Sequence, residues 1–187
     1  DAGTGAVDCG TGIGVVLGAA HLIANSGVKP KRTIKFVAFA GEEFGLWGAQ
    51  AYCKKHEKEI DKIVNLFNRD GGPTACVGMN VPETWYDDIK KIAEPMTNLW
   101  DFEFKVDKSA PRRKVSKMGG TDATVFGMKG VPCIELRNAD INGYGFEYQE
   151  IWHTENDILN KSFKDYMEQP ATATASKTVG IATTEKT

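Results

Sequence analysis

The sequence predicts an α/β protein folded as one domain. Segments with helical periodicity alternate with short apolar segments rich in β-branched and aromatic residues, and this alternation is typical of α/β domains. The apolar segments are too short for helices and end at glycines, as buried strands do. The chain has 187 residues, of which 41% are hydrophobic and 26% charged. We therefore expect residues 1–187 to form a single domain with a sizeable core.

The first half of the chain is predicted to alternate helix, strand, helix and strand. Residues 12–25 place apolar side chains at a spacing of about 3.6 residues, as one face of a helix does. The glycine and the proline of residues 27–30 end this helix. Residues 33–39 then form a strand, residues 46–59 a second helix, and residues 63–67 a second buried strand.

The second half of the chain is predicted to continue the alternation as far as a last helix. The predicted elements are helix 82–98, edge strand 101–107, short helix 123–128, strand 130–136, loop 138–149 and helix 163–186. The loop has glycines and aromatic residues without a period, so we expect it near the site. The aromatic side chains that can line an apolar pocket there, or simply pack, are Tyr144, Phe146, Tyr148 and Trp152.

Two adjacent carboxylates, Glu42 and Glu43, follow the strand predicted at residues 33–39. Open α/β sheets bind their ligands beyond the carboxyl ends of the strands. Because neighbouring side chains of extended chain point in opposite directions, one glutamate can bind a metal while the other faces a reacting water. The alternative interpretation is that the two charges only solubilise the end of a strand.

Further acids and one histidine extend this pattern. Asp8 precedes the first helix, where a carboxylate can also cap the helix, and Asp70 follows the second strand. His153 lies in a predicted loop. Carboxylate oxygens with an imidazole are ligands that zinc, cobalt or manganese accept in hydrolytic sites. Spacing alone is a weak argument, because the chain has 25 acids. His21 and His56 lie on helices, and we expect both to be uninvolved.

Composition excludes several other classes of function. The net charge of -2, the pI near 6.0 and the lack of a basic stripe exclude nucleic acid as a partner. No apolar run approaches the roughly 20 residues that span a bilayer, so no membrane is expected. The four cysteines form no C-x-x-C pair, which disfavours a thiolate zinc site and leaves zero, one or two disulfides open. The chain starts inside a glycine-rich loop, so we expect a fragment or a processed product.

Five motifs together resemble one family, the cocatalytic dinuclear-zinc exopeptidases that include secreted leucyl aminopeptidases, glutamate carboxypeptidases and carboxypeptidase Q. In chain order the motifs are G-T-G-A-V-D-C-G-T-G (3–12), F-V-A-F-A-G-E-E-F-G-L-W-G-A (36–49), N-R-D-G-G (68–72), G-G-T-D-A-T-V-F-G-M-K-G-V-P (119–132) and W-H-T-E-N-D (152–157). The glutamate motif is the most specific of them. The resemblance implies a three-layer αβα sandwich around a central mixed, mostly parallel β-sheet, incomplete at its N-terminal side.

The resemblance also implies a role for each matching residue. Asp8 would bridge two zinc ions, and Glu42 would act as the general base. Glu43 and His153 would bind one zinc, and Asp70 the other. Asp122 and Asp157 would either support these ligands or cap turns. The substrate implied is a short peptide, and the compartment implied is secreted, periplasmic or lysosome-like.

The chain departs from the family at one ligand. The family's H-x-D pair, upstream of the aspartate loop, is absent from this sequence, and neither His21 nor His56 replaces it. The sequence therefore predicts one or two zinc ions. A glutaminyl cyclase-like transferase with a single zinc is an alternative, and so is a non-catalytic relative that serves as an interaction module. Retention of all five site residues counts against the module. Oligomeric state and peptide specificity stay open.

Overall fold

Six strands form one sheet in the computed structural model, which describes residues 3–70, 74–97, 101–108, 112–141, 143, 145, 147–159 and 182–184. The strands are β1 Thr33–Lys35, β2 Ile63–Asn68, β3 Ala75–Pro82, β4 Glu103–Asp107, β5 Cys133–Ala139 and β6 Ala182–Thr184. Their order across the sheet is β1-β6-β2-β5-β3-β4. Parallel ladders join β2 to β5 and β3 to β4, and the other ladders are antiparallel. The predicted α/β fold with a central mixed sheet is confirmed.

Helices connect most of these strands. They are α1 Gly10–Asn25, α2 Trp47–Lys55, α3 Tyr86–Thr97, α4 Ala123–Met128 and α5 Tyr148–Ile151, with 3-10 turns at Glu57–Lys62 and Glu83–Trp85. Helices α1 to α4 lie where the sequence predicts them, within a few residues at each end. None of the helices in the described ranges is both long and apolar enough to cross a membrane.

Two apolar clusters cover opposite faces of the sheet. Leu66 pairs with Cys133, and both pack against a cluster that α2 and α4 contribute to. Their chain neighbours Phe67 and Ile134 also pair, and they belong with a second cluster around β3, β4 and α3. Successive side chains of a strand point to opposite faces, so the sheet lies between two apolar layers. All four cysteines are free, which decides the open question of disulfides in favour of none.

Three predictions of secondary structure need correction. The strand predicted at 33–39 pairs only at Thr33–Lys35, where it runs antiparallel to β6. The predicted loop 138–149 includes the end of β5 and the first residues of α5. The predicted helix 163–186 is wrong at Ala182–Thr184, which form β6, and its other residues lie outside the described part of the chain.

Strand β3 was missed altogether. Its burial repeats as two buried residues followed by one that is half-buried, so the alternation that marks a strand with one solvent face is lacking. Gly78, Asn80 and Pro82 further weaken the local preference for a strand.

Close packing at Gly12 brings α1 against the end of β2. A Cβ atom at Gly12 would lie 2.5 Å from the carbonyl oxygen of Arg69, whereas a Cβ atom at Gly14 would meet nothing within 4 Å. The first turn of α1 therefore lies directly on the segment that leads into Asp70. This contact brings Asp8, just before α1, and Asp70, just after β2, to the same edge of the sheet.

We expect Gly12→Ala to lower the free energy of unfolding by about 1–3 kcal/mol, because the added methyl group must displace backbone. The matched variant Gly14→Ala should raise it by up to about 1 kcal/mol, since alanine is the better helix residue in open space. Urea unfolding of both variants and the wild type measures the difference. Equal stabilities for the two variants would show that α1 does not pack on β2 in this way.

Candidate metal centre

A tight turn positions the glutamate pair between the end of the first apolar segment and α2. The amides of Gly45 and Leu46 both donate to the carbonyl oxygen of Glu42, at 2.9 and 2.8 Å. The amide of Gly48 donates to the carbonyl of Ala40 at 2.9 Å, and a Cβ atom at Gly48 would lie 2.5 Å from that same oxygen. Only glycine at position 48 therefore lets α2 begin this close to the backbone of Ala40. The turn holds both glutamates in the lining of a cleft of about 990 Å³.

Three predicted ligands meet at one point of this cleft. One side-chain ligand atom from each of Asp8, Glu43 and His153 lies within 4.8 Å of the other two. His153 Nε2 and Glu43 Oε2 lie 2.7 Å apart. The three residues come from the loop before α1, the turn before α2 and the segment after α5. We call Asp8, Glu43 and His153 the ligand trio.

The backbone of His153 adopts an unusual conformation. Its φ of 58° lies in the left-handed region, which a residue other than glycine seldom occupies. Such a conformation costs about 1–3 kcal/mol and persists only where the surroundings impose it. Hydrogen bonds on both sides do so here: the Trp152 amide donates to Tyr148 O at 2.9 Å, and the Thr154 amide to Ile151 O at 3.0 Å. Strain of this kind often accompanies a functional site, and here it occurs at a member of the ligand trio.

Glu42 and Asp70 line the same cleft as the trio. Burial, followed by the charges of Asp70 and Glu43, raises the pKa of Glu42 to about 7. Burial and the charge of Glu43 also raise the pKa of Asp8. Asp70 is near enough to contribute to both shifts but does not join the trio, within the residues the structure describes. The carboxylates thus repel one another, partial burial adds to the effect at Glu42 and Asp8, and a cation would relieve the repulsion.

Asp122 and Asp157 occupy different places beside the cleft. Burial, followed by the charge of Asp70, raises the pKa of Asp122 to about 6. Asp122 precedes α4 but makes no side-chain capping bond to it, so the capping interpretation is wrong for this residue. Asp157 is 4% exposed, and its carboxylate accepts the amides of Val7 and Asp8. It therefore contacts the loop that carries a member of the trio.

Arg69 and Tyr148 also contact the site, although the sequence predicts no role for Arg69 and only a pocket-lining or packing role for Tyr148. The Arg69 guanidinium is buried and donates to Asn138 Oδ1 and to Thr74 O, so it joins the segment after β2 to the end of β5 and to the start of β3. An arginine beside an aspartate in a glycine-rich turn carries no signal that predicts burial. Tyr148 forms a side-chain hydrogen bond with Asp8, and burial together with this charge raises the pKa of the phenol.

The remaining aromatic and histidine predictions have mixed outcomes. Tyr148 and Trp152 line the cleft, whereas Tyr144 and Phe146 lie outside the described residues. His21 hydrogen-bonds Asn25 on α1. His56 stacks on Tyr52 at 4.4 Å and contacts Glu59. Neither histidine lines the cleft, as expected.

Comparisons with known proteins identify the family and the fold of this chain. Peptidase family M28 matches residues 1–177. Carboxypeptidase Q of Xenopus laevis is 31% identical over 151 residues, which cover 77% of this chain and 29% of that protein. A probable zinc metalloprotease of Pyrenophora tritici-repentis is 42% identical over 66 residues, 35% of this chain and 15% of that protein.

A solved structure gives the same result. The crystal structure of a peptidase M28 precursor from Shewanella amazonensis SB2B has a TM-score of 0.69 and 30% sequence identity, and the match covers 94% of this chain and 36% of that one. The chain spans less than a third of the length of carboxypeptidase Q, one of the curated relatives that it matches. The match to the family and the match to the Shewanella amazonensis structure both extend over most of the residues of this chain. The chain belongs to peptidase family M28.

Proposed function

We propose that this chain carries the catalytic site of a zinc-dependent exopeptidase that hydrolyses short peptides. The observation that carries the proposal is the ligand trio, whose three donor atoms lie within 4.8 Å of one another beside Glu42. Catalytic zinc sites have three protein ligands, drawn from histidine and carboxylate groups, and leave a fourth position open. The names of the carboxypeptidase Q and zinc metalloprotease relatives agree with this chemistry.

The residues present fit a zinc ion. Two carboxylates and one imidazole balance the charge of a divalent cation and supply donor atoms that zinc accepts. Glu43 and His153 are 43% and 41% exposed, so a substrate in the cleft can reach the ion. Zinc bound there would lower the pKa of its water and polarise the scissile carbonyl.

Glu42 is proposed as the general base. Its carboxylate belongs to the residue beside a ligand and faces the same cleft. A pKa of about 7 in the metal-free chain is close to the operating pH, where a base is both deprotonated and able to hold a proton. Glu42 would take the proton of the attacking water and return it to the leaving amine.

Asp70 is proposed as the ligand of a second ion that shares Asp8. Asp70 lines the cleft, and its charge contributes to the raised pKa of Asp8. Because the trio alone supplies one complete donor set, a glutaminyl cyclase-like transferase with a single metal is the second candidate. We further propose a secreted or lysosome-like compartment, which agrees with the word precursor in the name of the Shewanella amazonensis protein. Neither nucleic acid nor membrane is a proposed partner.

We expect the chain to bind zinc or cobalt stoichiometrically in calorimetry, and Glu43→Ala or His153→Ala to abolish this binding because each removes one of three donors. His56→Ala is the matched control, since His56 follows α2 and does not line the cleft, and it should bind as the wild type does. Normal binding by His153→Ala would contradict the assignment. A wild type that binds no divalent metal would favour a non-catalytic role.

We expect Glu42→Gln to retain the metal and to lower peptide hydrolysis by about 10²–10⁴-fold, the usual contribution of a general base. Hydrolysis of dipeptides and tripeptides is followed by mass spectrometry, with pyroglutamate formation measured in the same samples. If the wild type forms pyroglutamate and hydrolyses no peptide, the assignment as a peptidase is wrong and the glutaminyl cyclase-like transferase takes its place.

The raised pKa of Glu42 also predicts how the metal-free chain responds to pH. The shift from 4.5 to about 7 means that the folded state holds this proton more tightly than the unfolded state. The resulting stability is complete below pH 4.5 and is lost as the pH rises through about 7. In the presence of a chelator, the free energy of unfolding should fall across this window, and Glu42→Gln should reduce the fall. Urea unfolding across the window measures both slopes, and identical slopes would contradict the shift.

A further inference from the structure

Asp157 joins the two loops that carry Asp8 and His153. We propose that Asp157 is a positioning residue of the metal centre: its carboxylate holds the loop of residues 4–8 against the segment of residues 153–157, and so keeps two of the three trio ligands within reach of one ion. The inference rests on the proposed function, because it assumes that the trio binds a metal. It assigns to Asp157 a task that a turn cap does not perform.

The carboxylate of Asp157 accepts two backbone amides of the Asp8 loop. The Val7 amide donates to Oδ1 at 2.7 Å, and the Asp8 amide donates to Oδ2 at 3.0 Å. Hydrogen bonds to an ionised acceptor are stronger than bonds between neutral groups. One of the two bonds ends on the ligand Asp8 itself, so the position of its backbone follows that of Asp157.

The carbonyl group of Asp157 binds the same loop. The Thr4 amide donates to this oxygen at 2.9 Å, and the Thr4 hydroxyl at 3.3 Å. The Ala6 amide reaches it at 3.5 Å. A Cβ atom at Gly3 would lie 2.6 Å from Thr154 O, so the two segments approach as closely as backbone allows. Asp157 therefore binds four positions of the loop. Its carbonyl oxygen accepts from Thr4 and Ala6, and its carboxylate accepts from the next two residues.

A compact turn connects Asp157 to His153. The Asp157 amide donates to Thr154 O at 3.3 Å, and the Asn156 amide to Thr154 Oγ1 at 3.2 Å. Thr154 Oγ1 in turn donates to Ile151 O at 2.9 Å. His153 lies only four positions before Asp157 in the chain. A single hydrogen bond joins Asp157 to the backbone of Asp8.

The chemistry of the site requires a carboxylate at this position. Asp157 is 4% exposed, and a buried charge is tolerated only when hydrogen bonds satisfy it. Both oxygens face N–H donors, so an asparagine would offer one acceptor and would place its own N–H₂ group against the second amide. Its amide partners lie 150 and 149 residues away in sequence, so the bonds do not cap a local turn.

The test compares cobalt binding by the wild type, Asp157→Ala, Asp157→Asn and the control Glu155→Gln, all in the full chain. Glu155→Gln removes an equal charge from an exposed position in the same segment. We expect Asp157→Ala to weaken cobalt binding by about 10- to 100-fold, as the loss of a group that orients a ligand does, and to alter the visible absorption of the bound cobalt. Asp157→Asn should lie between Asp157→Ala and the wild type, and Glu155→Gln should equal the wild type.

The outcomes separate a positioning role from a structural one. If Asp157→Ala lowers only the melting temperature, while cobalt affinity and spectrum of the folded protein equal those of the wild type, the proposal is overturned. If Asp157→Ala does not fold, the comparison of Asp157→Asn with Glu155→Gln decides in the same way. Faster hydrogen exchange at the Val7 and Asp8 amides should accompany the weakened binding. If the wild type binds no cobalt, the proposed function and the positioning role are both overturned. If the wild type binds cobalt and the Asp157 variants bind it with the same affinity and spectrum, only the positioning role is overturned.

Discussion

Crowding of carboxylates at one edge of the sheet is the constraint on which the rest of the site depends. Asp8, Glu42, Glu43 and Asp70 line one cleft, and burial together with mutual repulsion disfavours the charged forms of Glu42 and Asp8. A protein has to stabilise such an arrangement through contacts elsewhere. These contacts are the glycine-dependent approaches at Gly12 and Gly48. A divalent cation is the counter-charge that suits carboxylates in this arrangement.

The elements that hold the acids are mostly turns fixed by backbone hydrogen bonds. The glutamate pair depends on the turn into α2, and His153 on the turn after α5. Arg69 adds a buried guanidinium that binds Asn138 of β5 and Thr74, the residue before β3. The sheet thus supplies the edge at which the acids lie, and side-chain hydrogen bonds between distant segments set the distances between the acids. Such loop-borne sites on a packed scaffold are usual in enzymes.

Much of the fold could be predicted because the apolar periodicities of α1 to α4, β2 and β5 are local properties. The missed elements depend on information that is not local. Strand β3 is buried on both faces and lacks alternation, and the pairing of Thr33–Lys35 depends on a strand far along the chain. The site followed from acids at strand ends and from the family resemblance. The burial of Arg69 and the bonds of Asp157 could not be predicted, because each depends on partners that only the folded chain brings near.

The limited ladder of β1 has a consequence for the glutamate pair. Residues 36–39 leave the ladder before the pair is reached, so ring contacts take the place of sheet hydrogen bonds there: Phe39 lies 5.7 Å from Phe126 and 5.8 Å from Tyr52 between ring centroids. Aromatic contacts are less directional than a ladder and tolerate small shifts. Substitutions among these rings, well away from the ligand trio, would therefore shift Glu42 without removing any group that lines the cleft.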